Sequence, residues 1–173
     1  MPQHRGRYLA VLARNTGQWL RHRLVRPWRG ESLQGIYNFL PLGPQLLTSG
    51  QPTEKQLAHL RDTGVETVIN LAPVTADNAL PDEAATVAAL GMHYVHIPVD
   101  FTAPSEADFR RFCEAMAARG EGRVLVHCAA NMRVSAFMYR YRCEVLSEPP
   151  ARARRDLYRI WRPQGVWRDF IAR

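Results

Sequence analysis

Lysine is almost missing from these 173 residues: Lys55 is the only one, and arginine carries the remaining basic charge, a bias of the kind genome composition imposes. Cysteine is scarce as well. Cys113, Cys128 and Cys143 are too few and too odd in number for a disulfide framework, and none falls in the paired C-x-x-C spacing of a zinc site. They read as reduced thiols of a cytoplasmic protein. No apolar run approaches the ~20 residues that cross a bilayer, and the first residues lack the apolar stretch and small-residue cleavage site of a secretion signal. Acids are missing from the start of the chain: residues 1–30 hold seven arginines and no Asp or Glu, which accounts for the whole net charge of +7 and leaves the remainder near neutral.

That asymmetry divides the chain into a basic N-terminal arm or helix, 1–34, and a domain with C-terminal helices, 35–173. Two readings of the arm stand. It suits an acidic partner or an anionic membrane surface, with Trp19 and Trp28 at the headgroup boundary, or it is a solvated helix packed on the domain through Leu9, Leu12, Leu20 and Leu24. No specific nucleic acid is expected. With 46% hydrophobic residues the domain has enough apolar side chains to close one core around one sheet.

Punctuation along the domain is regular. A Pro- and Gly-broken segment, 35–44, leads into a strand over 46–49. Thr53-Glu54-Lys55-Gln56 carries the capping-box pattern of a helix start, closed by Gly64. A strand over 65–71 follows. Pro81-Asp82-Glu83 opens the next helix, with two acids in the first turn where the dipole favours them, and Gly91 ends it. A strand over 93–99, a helix capped by Ser105 that runs to Arg119, and a strand over 123–127 complete the series. A helix then runs from near Met132 to about Leu146, Pro149-Pro150 break it, and two short helices close the chain, the second opened by Pro163. Strands and helices alternating with short connections predict an α/β fold with a mainly parallel sheet of four to five strands flanked by helices.

Ligands in such sheets bind at the carboxyl ends of the strands, and Cys128 lies at one, directly before a helix. Backbone N–H groups of the turn and the first helical turn converge there, and the helix dipole adds positive potential. This field favours a bound oxyanion and a thiolate, since a thiol near pKa 8.5 drops by a unit or more in such a place. His127 is suited to hydrogen-bond the loop backbone. Arg133 can hold two oxygens in a fork, as an ammonium cannot. The backbone of Ala129, Ala130, Asn131 and Met132, together with Arg133, would form the cradle. Cys113 and Cys143 sit among aromatic residues and read as core thiols. His59, His93 and His96 have no metal-ligand spacing, and no cofactor is expected.

The stretch Leu125-Val126-His127-Cys128-Ala129-Ala130-Asn131-Met132-Arg133-Val134-Ser135-Ala136 resembles the signature loop of the protein tyrosine and dual-specificity phosphatases. So do Leu47-Thr48-Ser49-Gly50-Gln51-Pro52, Val68-Ile69-Asn70-Leu71 and Tyr94-Val95-His96-Ile97-Pro98-Val99-Asp100, which are similar to the matching elements of compact bacterial and atypical members. The likeness runs from about Ile36 to Leu146, with the Ile160-Trp161-Arg162-Pro163 stretch fitting bacterial relatives too. It implies a phosphomonoester hydrolase in which Cys128 attacks phosphorus and Asp100 protonates the leaving oxygen. Ser135 would steady the departing thiolate, or bond a helix carbonyl instead. The substrate implied is a phosphorylated protein or a small phosphate ester. Asp108, at a helix start, is explained by capping.

One spacing departs from the family pattern: four residues separate Cys128 from Arg133, where the signature has five. Either the loop has lost a residue, or nothing is lost, Ser135 keeps its place, Asn131 stands for a loop glycine and Arg133 is one position early. The second reading is preferred because Asn tolerates the left-handed conformation. A step of one residue on a helix turns a side chain by about 100°, so Arg133 need not reach the same oxygens. Two other readings therefore stay open: a phosphate-binding pseudophosphatase that has lost turnover, and a rhodanese-like sulfurtransferase, whose cysteine loop also has the Cys-x4-Arg length.

Overall fold

The computed structural model describes residues 31–173. The basic arm lies outside them except for its end, where Leu33–Gly35 form one turn of 3-10 helix. Among the described residues five strands make one sheet: β1 (Leu40–Gly43), β2 (Leu46–Ser49), β3 (Val65–Asn70), β4 (His93–His96) and β5 (Arg123–His127). Their order is β1-β2-β5-β3-β4, and every pairing is parallel except the β1–β2 hairpin. The expected parallel α/β architecture is what the chain adopts. The β1 strand was not anticipated, because Pro41 and Gly43 read as breakers. As an edge strand, β1 tolerates a proline that a central strand would not.

Six helices among the described residues connect and flank the strands: α1 (Glu54–Asp62), α2 (Glu83–Ala89), α3 (Glu106–Ala118), α4 (Met132–Glu144), α5 (Pro150–Ile160) and α6 (Val166–Ile171). Thr53 and Ser105 close capping boxes with Gln56 and Asp108, as their sequence pattern predicts. Two boundaries differ from expectation. Asp82 is the cap of α2, so Glu83 is the first helical residue, and α6 opens after Gly165 rather than at Pro163. The pairing of β4 with β3 also frays past His96. Ile97 and Val99 still donate to the Asn70 and Leu71 carbonyls at 2.9 and 3.2 Å, and the extended chain stops at Asp100.

Alternation along the strands builds two cores, one on each face of the sheet. Val124 and Val126 of β5 enter a large aromatic cluster with Phe109, Phe112, Phe137, Trp161, Trp167 and Phe170, supplied by α3 to α6. Leu125 points the other way, against Leu47, Leu57, Leu60 and Val68. Fully burying a side chain such as Phe137 contributes about 1.5–3 kcal/mol. Charge is buried beside the aromatic core as well. Arg140 lies over the Phe109 and Phe170 rings, 3.9 and 4.7 Å from their centroids, with Glu106 and Glu144 on its guanidinium at 2.7 and 2.6 Å. This places α3, α4 and α6 in fixed register and sets the direction in which α4 leaves the end of β5.

Candidate active site

β5 is the middle strand, and its end lies between those of β2 and β3, so the residue after His127 is held on both sides. The Cys128 N–H donates to Ser49 O at 3.3 Å, and Leu71 N donates to His127 O at 2.8 Å. Cys128 is 1% exposed, at the edge of the aromatic core, with half-exposed Ala129 and Ala130 above it. The loop that follows is fixed from outside through its carbonyls. Ala129 O accepts from Asn78 Nδ2 at 3.0 Å and Gln51 N at 3.3 Å, and Ala130 O accepts from Asn38 Nδ2 at 2.9 Å. The two sides of a trans peptide point oppositely, so drawing the Ala129 oxygen outward turns the Ala130 N–H inward. None of Asn38, Gln51 or Asn78 was assigned a role from sequence. Their partners are 92, 78 and 51 residues away, beyond the reach of any local pattern.

Asn131 closes the loop in the left-handed region at φ 64°, the conformation its residue type predicts, and α4 begins at the next residue. Its amide is buried and donates to Asn38 O at 2.7 Å and Thr48 Oγ1 at 3.1 Å, pinning the turn to β2 and to the segment before β1. A glycine there would supply the turn but not the tie. Gly50 permits the close approach on the other side. A Cβ on it would stand 2.9 Å from Tyr37 O and 3.0 Å from Ala129 O.

Past the turn, the side chains on α4 face two different supports. Ser135 Oγ donates to Met132 O at 3.0 Å and accepts from Trp161 Nε1 at 3.1 Å, so its proton is committed to a helix carbonyl. Arg133 reaches toward the Asp100 segment instead. Its Nε donates to Val99 O at 2.9 Å, and its guanidinium carbon lies 5.1 Å from the Phe101 ring centroid. Asp100 itself is exposed and accepts from the N–H and hydroxyl of Thr102 at 2.7 and 2.8 Å. These two hydrogen bonds, with a smaller contribution from Arg133, hold its carboxyl below the usual aspartate range. Phe101 is packed between Trp161 and Trp167, and Trp167 Nε1 donates to its carbonyl at 2.8 Å. The C-terminal helices thus brace both the Asp100 segment and the start of α4.

On the opposite flank lies a carboxylate that sequence reasoning gave only to the helix dipole. Glu83, at the first position of α2, is 7% exposed and points beneath the cysteine loop. Its Oε1 accepts from Gln51 Nε2 at 2.8 Å, and its Oε2 from Asn70 Nδ2 at 2.6 Å and Tyr94 OH at 3.1 Å. Nε2 of the fully buried His127 stands 3.1 Å from Oε1, at ion-pair distance but off the line of a hydrogen bond. Burial opposes ionisation of Glu83, but His127, Gln51 and Tyr94 outweigh it, so its carboxyl is held below the usual glutamate range. An ionised carboxylate is an acceptor with about four lone-pair sites, and three donor groups occupy this one, with His127 Nε2 standing beside them.

This sheet order, with a loop fastened by its carbonyls between a central parallel strand and a helix, is the fold of the protein tyrosine and dual-specificity phosphatases. More particularly, residues 43–160 match the family described as "DSP-PTPase phosphatase fused to NAD+ Kinase", and the chain belongs to that family. Among solved structures it is similar to a "Putative phosphatase (DUF442)" from Shewanella putrefaciens CN-32, with 39% identity, 81% of this chain and 92% of that one covered, and a TM-score of 0.73. The Pseudomonas aeruginosa protein TpbA, solved as a cysteine-to-serine variant in complex with pTyr, shares the fold at 23% identity and a TM-score of 0.58, over 69% of this chain and 71% of that one. A "Beta-lactamase hydrolase-like protein" of Xylella fastidiosa is 35% identical over 95 residues, 53% of this chain. The chain spans only 22% of that relative's length. No helix among the described residues is long and apolar enough to cross a membrane.

Proposed function

We propose that the chain hydrolyses phosphomonoesters through a cysteinyl-phosphate intermediate formed on Cys128. The observation that carries this reading is the loop 128–131, held with its Ala129 and Ala130 carbonyls turned out onto Asn38, Asn78 and Gln51 at the start of α4. In the proposed reaction the Cys128 sulfur attacks phosphorus as the P–O bond to the leaving group breaks. Asp100 gives its proton to that oxygen, and water then attacks phosphorus to release phosphate and return the thiolate. Oxyanion charge is met by the loop N–H groups and the N-terminus of α4. Because Arg133 Nε is taken by Val99 O, the guanidinium would meet phosphate oxygens end-on, through its two terminal nitrogens. Asp100 must also gain a proton that Thr102 now discourages. A bound phosphoryl dianion beside it favours that change, since a like charge disfavours the carboxylate.

Ser135 would serve the leaving thiolate only by turning its hydroxyl from Met132 O, a bond supported from behind by Trp161. The partner in this reading is a phosphorylated protein or a small phosphate ester. Hydrolysis of an aryl phosphate by the purified chain, abolished in Cys128→Ser, is the expected result. Phosphate binding without turnover would mark a pseudophosphatase, and cyanide-dependent thiocyanate release from thiosulfate a sulfurtransferase; either outcome contradicts the proposal.

A further inference from the structure

We infer that Glu83 is a positioning residue of the cysteine loop: its Oε1 holds the Gln51 amide and stands against His127, the two residues from which the loop around Cys128 is hung. The inference rests on the proposed reading of that loop as an oxyanion site. His127 precedes Cys128 in the chain, and Gln51 N holds the Ala129 carbonyl at 3.3 Å. Both meet one carboxylate oxygen: Gln51 Nε2 donates to it at 2.8 Å, and His127 Nε2 lies 3.1 Å from it, off the line of a hydrogen bond. The second oxygen is tied to β3 and β4 through Asn70 and Tyr94. Asn70 in turn accepts from Ala72 N at 2.7 Å through its own carbonyl oxygen, so the network continues into the segment after β3 that carries Asn78. One buried carboxylate therefore connects the ends of β5 and β3, the segment after β2, and α2.

The chemistry of the position is specific. The three groups hydrogen-bonded to Glu83, from Gln51, Asn70 and Tyr94, all donate to it, so the site favours a side chain that only accepts. Glutamine matches the shape of glutamate but carries no charge and turns an NH₂ toward the Gln51 or Asn70 amide, so one of those hydrogen bonds is lost or its amide must turn over. Shortening to aspartate keeps the charge but withdraws it by one methylene from His127 and Gln51. Glu83 touches neither substrate nor the reacting sulfur, so its effect is on the geometry of the loop and the potential that loop presents.

A turnover-free readout tests this directly: the rate of Cys128 alkylation by iodoacetate divided by the rate with neutral iodoacetamide, in a Cys113→Ser/Cys143→Ser background, with inorganic phosphate as protectant. The loop of the wild type is expected to favour the anionic reagent, and phosphate to slow it. Glu83→Gln is expected to lower that preference about tenfold and to weaken phosphate protection, while Tyr94→Phe, which loses one bond to Oε2 but leaves Oε1 untouched, keeps both. If Glu83→Gln does not fold, Gln51→Ala reads the same link, because it deletes the amide held by Oε1 and retains the Gln51 N–H; the same loss of preference is expected. A folded Glu83→Gln with unchanged preference, or a Tyr94→Phe as impaired as Glu83→Gln, would overturn the inference. Absence of anion preference in the wild type would instead count against the oxyanion reading of the loop, and with it this role.

Discussion

One carboxylate stands on each flank of the cysteine loop, Glu83 by His127 before it and Asp100 by Arg133 after it, and the fold treats them in opposite ways. Glu83 is 7% exposed and held by side chains from three other parts of the chain, whereas Asp100 is exposed and held by a residue two positions on. Both are kept below their usual range, for different reasons. At Glu83 donors outweigh a burial cost; at Asp100, with little burial to oppose them, Thr102 and Arg133 act on a group in water. A carboxylate saturated with buried donors is a fastening, since any change of its charge or position disturbs several elements at once. A carboxylate with one short-range anchor can change protonation and position at small cost, which is what proton transfer needs.

Substitutions can break or sharpen this contrast. Glu83→Ala should have the largest effect, because it leaves the Gln51, Asn70 and Tyr94 donors without their acceptor. At about 1–3 kcal/mol for each unsatisfied buried group, the loss of stability should reach about 3 kcal/mol or more, with most hydrolysis lost as well. Urea unfolding followed by circular dichroism measures it. Asp100→Asn should do the reverse: stability within about 0.5 kcal/mol of the wild type, as for an exposed position, but kcat down by roughly 10²–10⁴-fold if it supplies the proton. A kcat/KM in Asp100→Asn that falls no further for aryl phosphates with poor leaving groups than for those with good ones would remove that role. Thr102→Val gives the smallest effect. It deletes the hydroxyl bond that favours the charged carboxylate, so the Asp100 carboxyl rises toward its ordinary value and remains protonated to higher pH. The basic limb of the kcat/KM profile should then move to higher pH.

Much of the frame was legible before the structure. The β2 and β5 bounds, the two capping boxes and the turn at Asn131 follow from short-range rules, in which one residue's backbone preference or one i to i+3 pair decides the outcome. β1 was hidden by Pro41 and Gly43, whose effect depends on whether a strand lies at an edge, a property of the sheet rather than of the segment. The support of the loop was hidden more deeply. A first-turn glutamate such as Glu83 is sufficiently explained by the dipole, and nothing local says that α2 turns it inward against His127, 44 residues away. Asn38 and Asn78 likewise read as ordinary loop residues, and only the closing of the sheet brings both to the cysteine loop. The early Arg133 was visible as an anomaly of spacing, but its direction, toward Val99 O and Phe101, required the Asp100 segment to be in place.

The claim on which the rest depends is that Cys128 carries the phosphoryl group during turnover. Rapid acid quench of the chain with an aryl phosphate, followed by mass spectrometry of the peptide containing Cys128, tests it most directly. A mass increase of one phosphoryl group on Cys128 is expected, more abundant at early times and absent in Cys128→Ser. Hydrolysis that proceeds with no such species, or that survives Cys128→Ser, would contradict it.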